Sequence, residues 1–231
     1  MVKKITVMMT MFVILILGGC RAMNSEPRTD INEQALAHMT QRYGVTFEYA
    51  QAFGDSFSNT HEFFATTDSL PGQKILVQIE NYRHEDRIFR SNYLAVKFLE
   101  ETIDFLRECA MKVFTDAIVH FNVINDGLSP DLVPNASFCE YLADTRVPLG
   151  IFIEVKESNF SSDEQLMEVA ERIASRVGRF HLTVVVVDDN SYGESDRDAL
   201  FRQVALRQFV YAARIDNLDS RIQIERLARE E

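Results

Sequence analysis

Leu149-Gly150-Ile151-Phe152-Ile153-Glu154-Val155-Lys156 and Leu182-Thr183-Val184-Val185-Val186-Val187 bracket the stretch of sequence that decides the fold. In the first run Ile151, Ile153 and Val155 fall on every second position, the period of a strand with one face packed. The second run is apolar and β-branched and carries no charge, the composition of a central strand covered on both faces. Between them Leu166, Val169, Ala170, Ile173, Ala174 and Val177 recur at intervals of three and four, which predicts an amphipathic helix. Ser161 and Ser162 each stand three residues before Glu164 and Gln165, as a capping box requires, and Gly178 stands where the helix is expected to end. Two strands joined by a covering helix read as a βαβ unit over residues 149–188.

Working outward towards the N-terminus, Asp30 precedes a helical stretch over residues 30–43, with Glu33 three residues on and Gly44 as its stop. Val45, Phe47 and Tyr49 then alternate with Thr46, Glu48 and Ala50. Residues 61–66 and the alternation of Ile75, Val77 and Ile79 follow, with turns at residues 54–59 and 68–72, so a three-stranded meander is expected. One long helix is predicted over residues 92–113, with Leu94, Phe98, Phe105, Cys109 and Val113 on its apolar stripe. A strand through Ala117, Val119, Phe121 and Val123, a loop at residues 125–134 and a short helix at residues 138–143 complete this half.

Beyond Val187 a polar loop spans residues 188–198, and the pattern after it supports two readings. One is a short helix followed by a hairpin that pairs residues 209–215 with 221–225 across Asn217-Leu218-Asp219-Ser220. The other is a single long helix carrying Leu200, Val204, Tyr211 and Ile215 on one side. Neither an internal repeat nor a Pro/Gly/Ser-rich linker interrupts residues 31–231. The expected class is α+β, a single domain with a mixed sheet, an N-terminal meander and a C-terminal βαβ unit packed by helices.

The first twenty residues carry an address. Lys3 and Lys4 form a positive start, residues 5–17 are apolar but shorter than the roughly 20 residues that span a bilayer, and Leu17-Gly18-Gly19 puts small residues directly before Cys20. This pattern is similar to the signal of bacterial lipoproteins. The resemblance implies a signal peptide over residues 1–19, a lipidated Cys20 heading a tether over residues 20–30, and a chain held by its lipid on the extracytoplasmic face of the cell membrane. Asn24, Ser25, Pro27 and Thr29 make the tether polar, and ten extended residues reach about 35 Å. Arg42-Tyr43-Gly44 leading into Val45-Thr46-Phe47-Glu48, and later Ser91-Asn92-Tyr93-Leu94, further resemble features of small lipoproteins of clostridia-like Gram-positive bacteria. That likeness brings no catalytic residues with it.

Charge and cysteines narrow the partners. The chain carries 24 basic and 35 acidic residues, a net charge of −11; residues 1–19 contain Lys3, Lys4 and no acid, so 22 against 35 leaves −13 after cleavage. Such a chain repels nucleic acid and anionic lipid surfaces. With Cys20 taken by lipid, Cys109 and Cys139 remain in a compartment where disulfides persist, and the spacing allows either a bridge or two thiols.

Most catalytic signatures are absent from the sequence. It has no Gly-x-Ser-x-Gly elbow, phosphate loop or Ser-x-x-Lys motif. His61-Glu62 and His84-Glu85 begin like a zincin helix, but Ala65 and Ile88 stand where the second histidine belongs. His38, His120 and His181 are likewise isolated. The one chemical constellation is Asp188-Asp189-Asn190 with Glu194, Asp196 and Asp198, just past a buried strand, where carboxylates can gather a divalent cation. Asn190 and Gly193 fit the third and sixth positions of a calcium loop, whereas Tyr192 and Ala199 occupy its fifth and twelfth. Against a metal role for Asp188 and Asp189 stands a loop in which Ser195 or Asp196 caps the next helix. A softer signal is the group Phe53, Phe57, Phe63 and Phe64 around the first hairpin, which reads either as core or as an exposed partner surface. The functional expectation is a non-catalytic binding module for an envelope protein or small molecule, without a cofactor; the alternative is a metal-assisted hydrolase using Asp188 and Asp189.

Overall fold

The computed structural model describes residues 30–53, 59–121, 135–144, 148–194, 196, 198–199, 202, 211–217 and 222–227. The signal and Cys20, most of the turn at residues 54–59, Phe57, the loop at 125–134 and the turn at 218–220 lie outside the described residues. The chain divides into two units, Met1–Gln34 and Ala35–Glu231. In the first, Asp30 is the helix cap: its carboxylate accepts the Asn32 N–H at 3.1 Å and its carbonyl the Gln34 N–H at 3.0 Å. That helix, α1 (Ile31–Tyr43), continues into the second unit, where Ala35 and Met39, one turn apart, are buried. Gly44 ends it in the left-handed conformation at φ +69°, its N–H donating to the Thr40 carbonyl at 2.9 Å.

The second unit is α+β and holds two sheets. The expected meander is present with one strand more than its sequence showed: β1 (Glu48–Ala52), β2 (Thr60–Thr66), β3 (Ile75–Glu80) and β4 (Ile88–Ser91) pair antiparallel in that order. β4 is only four residues long and carries Arg90, which bonds Glu80 across the pair at 2.7 Å, so its alternation is too short and too polar to read in advance. Phe63, Ala65, Ile75, Val77 and Ile79 form the buried face. Pairing continues past β4, because the buried Asn92 side chain accepts the Leu76 N–H at 2.8 Å.

The long helix expected over residues 92–113 is two helices, α2 (Tyr93–Lys97) and α3 (Leu99–Met111). Phe98 separates them with φ −102° and ψ 16°, and its ring packs on Phe138 and Tyr141 of α4 (Phe138–Ala143), at 5.8 and 5.5 Å. The backbone break turns that ring towards α4, and the Thr102 hydroxyl takes up the Phe98 carbonyl at 2.7 Å.

The second sheet is mixed and five-stranded: β5 (Ala117–Phe121), β6 (Leu149–Lys156), β7 (Phe180–Val187), β8 (Tyr211–Asn217) and β9 (Ile222–Leu227), in that order. β6 and β7 are parallel from Leu149↔Phe180 to Lys156↔Val187, and every other neighbouring pair is antiparallel. The crossover between them is α5 (Asp163–Ala174), which buries Leu166, Val169, Ala170 and Ile173. Of the two candidate caps the fold uses Ser162, in a capping box with Gln165. Gly178 is not the helix stop: α5 ends at Ala174, and the Gly178 N–H donates instead to the Leu142 carbonyl at 2.9 Å. The C-terminal segment takes the hairpin and not the long helix. Asp163 at the start of α5 ties it down, accepting from Tyr211 at 2.9 Å and from Arg226. Cys109 and Cys139 are free thiols, the first buried and the second exposed, so the bridge that their spacing allowed is not formed.

Candidate functional site

The residues expected to carry chemistry sit where β6 and β7 end, the usual ligand-binding end of parallel strands. Asp188 and Asp189 follow the last residue of β7, but they turn to different partners. Asp188 accepts from the Asn190 backbone N–H at 2.9 Å and from its side-chain amide at 2.8 Å, an Asx turn closed within the loop. Asp189 reaches across to the end of β6 and accepts the Ser158 N–H at 3.1 Å. Hydrogen bonds from Ser158, side chain first and backbone second, hold the Asp189 carboxyl below its ordinary range. Asp196 accepts the Ala199 N–H at 2.7 Å, as a helix cap does. Among the described residues no three His, Cys, Asp or Glu side chains gather to hold a metal ion.

Next to this loop the sheet brings together groups whose spacing in sequence gave no hint of contact. Asp116, just ahead of β5, accepts from Lys156 at 2.9 Å with one oxygen and from the Tyr192 hydroxyl at 2.9 Å with the other. Lys156 also lies 4.5 Å from the centre of the Tyr192 ring. The bonds from Lys156 and then Tyr192 hold Asp116 low, while burial first, and the bond to Asp116 second, push the Tyr192 phenol well above its usual range. Tyr192 is thus held as the donor of its bond to Asp116.

Beneath Tyr192 lies Glu154, fully buried on β6 between Ile118 and Val185. The strand period puts it on the face opposite Ile151, Ile153 and Val155. One oxygen accepts the Gly193 N–H at 2.9 Å; the other stands 3.6 Å from His120 Nε2, beyond hydrogen-bond reach, and both of those atoms are buried without a hydrogen-bond partner. On the same face His181 Nδ1 and Asp216 Oδ1 meet across β7 and β8 at 2.6 Å. Glu154 was legible in one respect, as the lone charge in the apolar run from Leu149 to Val155. Its role is to fix the loop over the sheet: the loop's own backbone closes it off from solvent.

Two further surface features lie away from this corner. A groove of about 560 Å³ between α3 and α5 has Phe105 and Cys109 at its base, and Lys112–Glu108 and Arg172–Glu168 pairs, each within one helix, along its sides. Burial pushes the Cys109 thiol up. At the edge of the first sheet every residue of β1 is exposed, and a cavity of about 290 Å³ opens beside it, lined by Thr46, Glu48, Thr66, Thr67 and Asp68. Of the aromatic group around that hairpin, Phe63 is fully buried, Phe64 half-buried and Phe53 38% exposed.

No protein-family model matches the chain, and no curated protein matches it. A crystal structure of a DUF5037 family protein from Ruminococcus gnavus is similar at 13% identity and a TM-score of 0.35, over 71% of this chain and 78% of that chain. Among the described residues no helix is long and apolar enough to cross a membrane.

Two outcomes follow from this geometry. Gly193 lies at φ +77°, and a Cβ there would meet Ile118 Cδ1 at 3.3 Å; Gly72 has the same φ with nothing within 4 Å. Gly72→Ala should cost about 1–2 kcal/mol of left-handed strain, and Gly193→Ala more than that, in urea unfolding. Equal losses would show that the loop does not press on the sheet. The depressed acids Asp116 and Asp189 give stability that is complete above their unfolded range and is lost as pH falls through their lower folded values. The melting temperature should therefore fall below about pH 4, and less steeply in Asp116→Asn. An unchanged acid limb in that variant would contradict the assignment.

Proposed function

We propose that this chain is a lipid-anchored envelope protein, attached through Cys20 at the extracytoplasmic face of the cell membrane, whose α+β domain works as a non-catalytic binding module. The anchoring half of the reading rests on Leu17-Gly18-Gly19-Cys20 and the polar residues after it. The binding half rests on one observation, a sheet-edge strand, β1, whose residues are all exposed. An open edge is a template for a further strand, and folds that do not use one commonly cover or charge it. In this reading Asp189 holds the loop to the turn after β6, and Asp188 closes the loop on itself. The acidity of the chain, −11 overall, suits presentation near an anionic surface without adhering to it.

One acyl chain binds a membrane only marginally, so stable attachment calls for the two chains of a diacylglyceryl group. Cys20→Ser, produced in a bacterial host with lipoprotein processing, should move the cleaved chain from the membrane pellet and the detergent phase to the aqueous phase. Unchanged partitioning of a cleaved Cys20→Ser chain would contradict the lipid anchor.

A further inference from the structure

We infer that β1 is the docking edge for an extended, basic segment of a partner protein, which adds as a fifth strand to the first sheet and places a lysine or arginine in the cavity beside Glu48 and Asp68. The inference deepens the binding-module reading and rests on it. β1 stands at one end of the order β1-β2-β3-β4, so alternate residues turn their N–H and C=O groups away from β2, and among the described residues no strand lies beyond. The other sheet edges are not comparable. β4 is shorter and ends in a buried residue, β5 is half-buried throughout after a buried first residue, and β9 is only partly exposed, with Arg226 held by Asp163.

The side chains around β1 prepare both faces for an incoming strand. The register shifts between Tyr49 and Gln51, and this irregularity changes which side of the sheet the following residues occupy. Tyr49 consequently stacks on Phe63 at 5.5 Å on one face, and Phe53 packs edge-on against Phe64 at 5.0 Å on the other. Tyr49 and Phe53 are exposed large hydrophobic residues, at 47% and 38% exposure, and they flank the edge from opposite faces. An added strand passes between them, with its alternate side chains against each ring.

Charge selects the partner's chemistry. The cavity of about 290 Å³ at the start of β1 is lined by the acids Glu48 and Asp68 and by Thr46, Thr66 and Thr67, whose hydroxyls accept as well as donate, and among the described residues no lysine or arginine lines it. A lysine or arginine from the added strand brings donors and the opposite charge, whereas an acidic side chain meets two like charges. The net charge of −11 also disfavours a second copy of this chain as the occupant.

The test uses the full lipidated chain in detergent micelles and two probes of about eight residues, one alternating lysine with threonine and one alternating glutamate with threonine. The lysine peptide should bind, the glutamate peptide should not, and hydrogen–deuterium exchange should slow at the amides of residues 48–52. The double variant Glu48→Lys with Asp68→Lys changes two exposed side chains; it should weaken the lysine peptide at least about tenfold and bind the glutamate peptide instead. This gain keeps the test meaningful if the variant loses some stability. Absence of binding, equal binding of both peptides, or protection elsewhere than β1 would overturn the inference. Crosslinking of the lipidated chain to a membrane-resident protein reads the broader function separately: a crosslinked partner together with peptide failure sinks only the β1 edge.

Discussion

Parallel pairing of β6 with β7 is the constraint on which the rest of the second sheet depends. Parallel neighbours cannot be joined by a tight turn, so the chain must leave the sheet after Lys156, cross it and return at Phe180. The crossing segment has to bury an apolar face against the strands, and α5 does so with Leu166, Val169, Ala170 and Ile173, none of them accessible to solvent. With α5 on one face, Ile151, Ile153, Val184 and Val186 are sealed, and burying each such side chain contributes about 1.5–3 kcal/mol. The same crossover fixes Asp163, which then anchors Tyr211 of β8 and Arg226 of β9. Burial first, and the bond to Asp163 second, push the Tyr211 phenol up to about 12.

The opposite face of that sheet has a different economy. It carries Glu154, Thr183 and Val185, and the chain covers part of it with the loop after β7. A buried carboxylate costs several kcal/mol unless its oxygens find donors. Gly193 supplies one from the backbone, at a left-handed φ of +77° that favours glycine and with the loop close enough that a Cβ would meet Ile118 Cδ1 at 3.3 Å. Asp116, Lys156 and Tyr192 close the same corner by satisfying one another. Asp116, Lys156, Tyr192 and one oxygen of Glu154 are thus occupied in holding the loop, while among the described sheet-edge strands β1, in the other sheet, is the one exposed at every residue.

How far this was legible follows from which interactions are local. Periodicity is local, so α5, β6, β7 and the helix capped by Asp30 could be read from the chain, as could a capping box before α5, though not which of Ser161 and Ser162 forms it. β4 was missed because four residues with Arg90 among them carry no alternation. The break at Phe98 was missed because an aromatic contact with α4, distant in sequence, overrides a continuous helical stripe. The C-terminal segment leaned towards a hairpin but also fitted a helical period, and it is the pairing of β8 with β7 and β9, together with the bonds from Tyr211 and Arg226 to Asp163, that separates the two. At the candidate site, the acids close in sequence were visible and the couplings were not. Asp116 meets Tyr192, and Glu154 meets Gly193, through strand order alone. The exposed edge at β1 was foreshadowed only by Phe53 and its neighbours, since an alternating strand reads the same whether or not another strand lies beside it.

The domain divides into a sealed βαβ core and an open edge, and native-state hydrogen exchange measures that division directly. Amides of β6 and β7 should exchange only through global unfolding, at the free energy given by denaturant titration, while those of β1 exchange through local opening at a much smaller cost. Amides of β6 and β7 that exchange as readily as those of β1, or β1 amides protected to the global limit in the isolated chain, would contradict it.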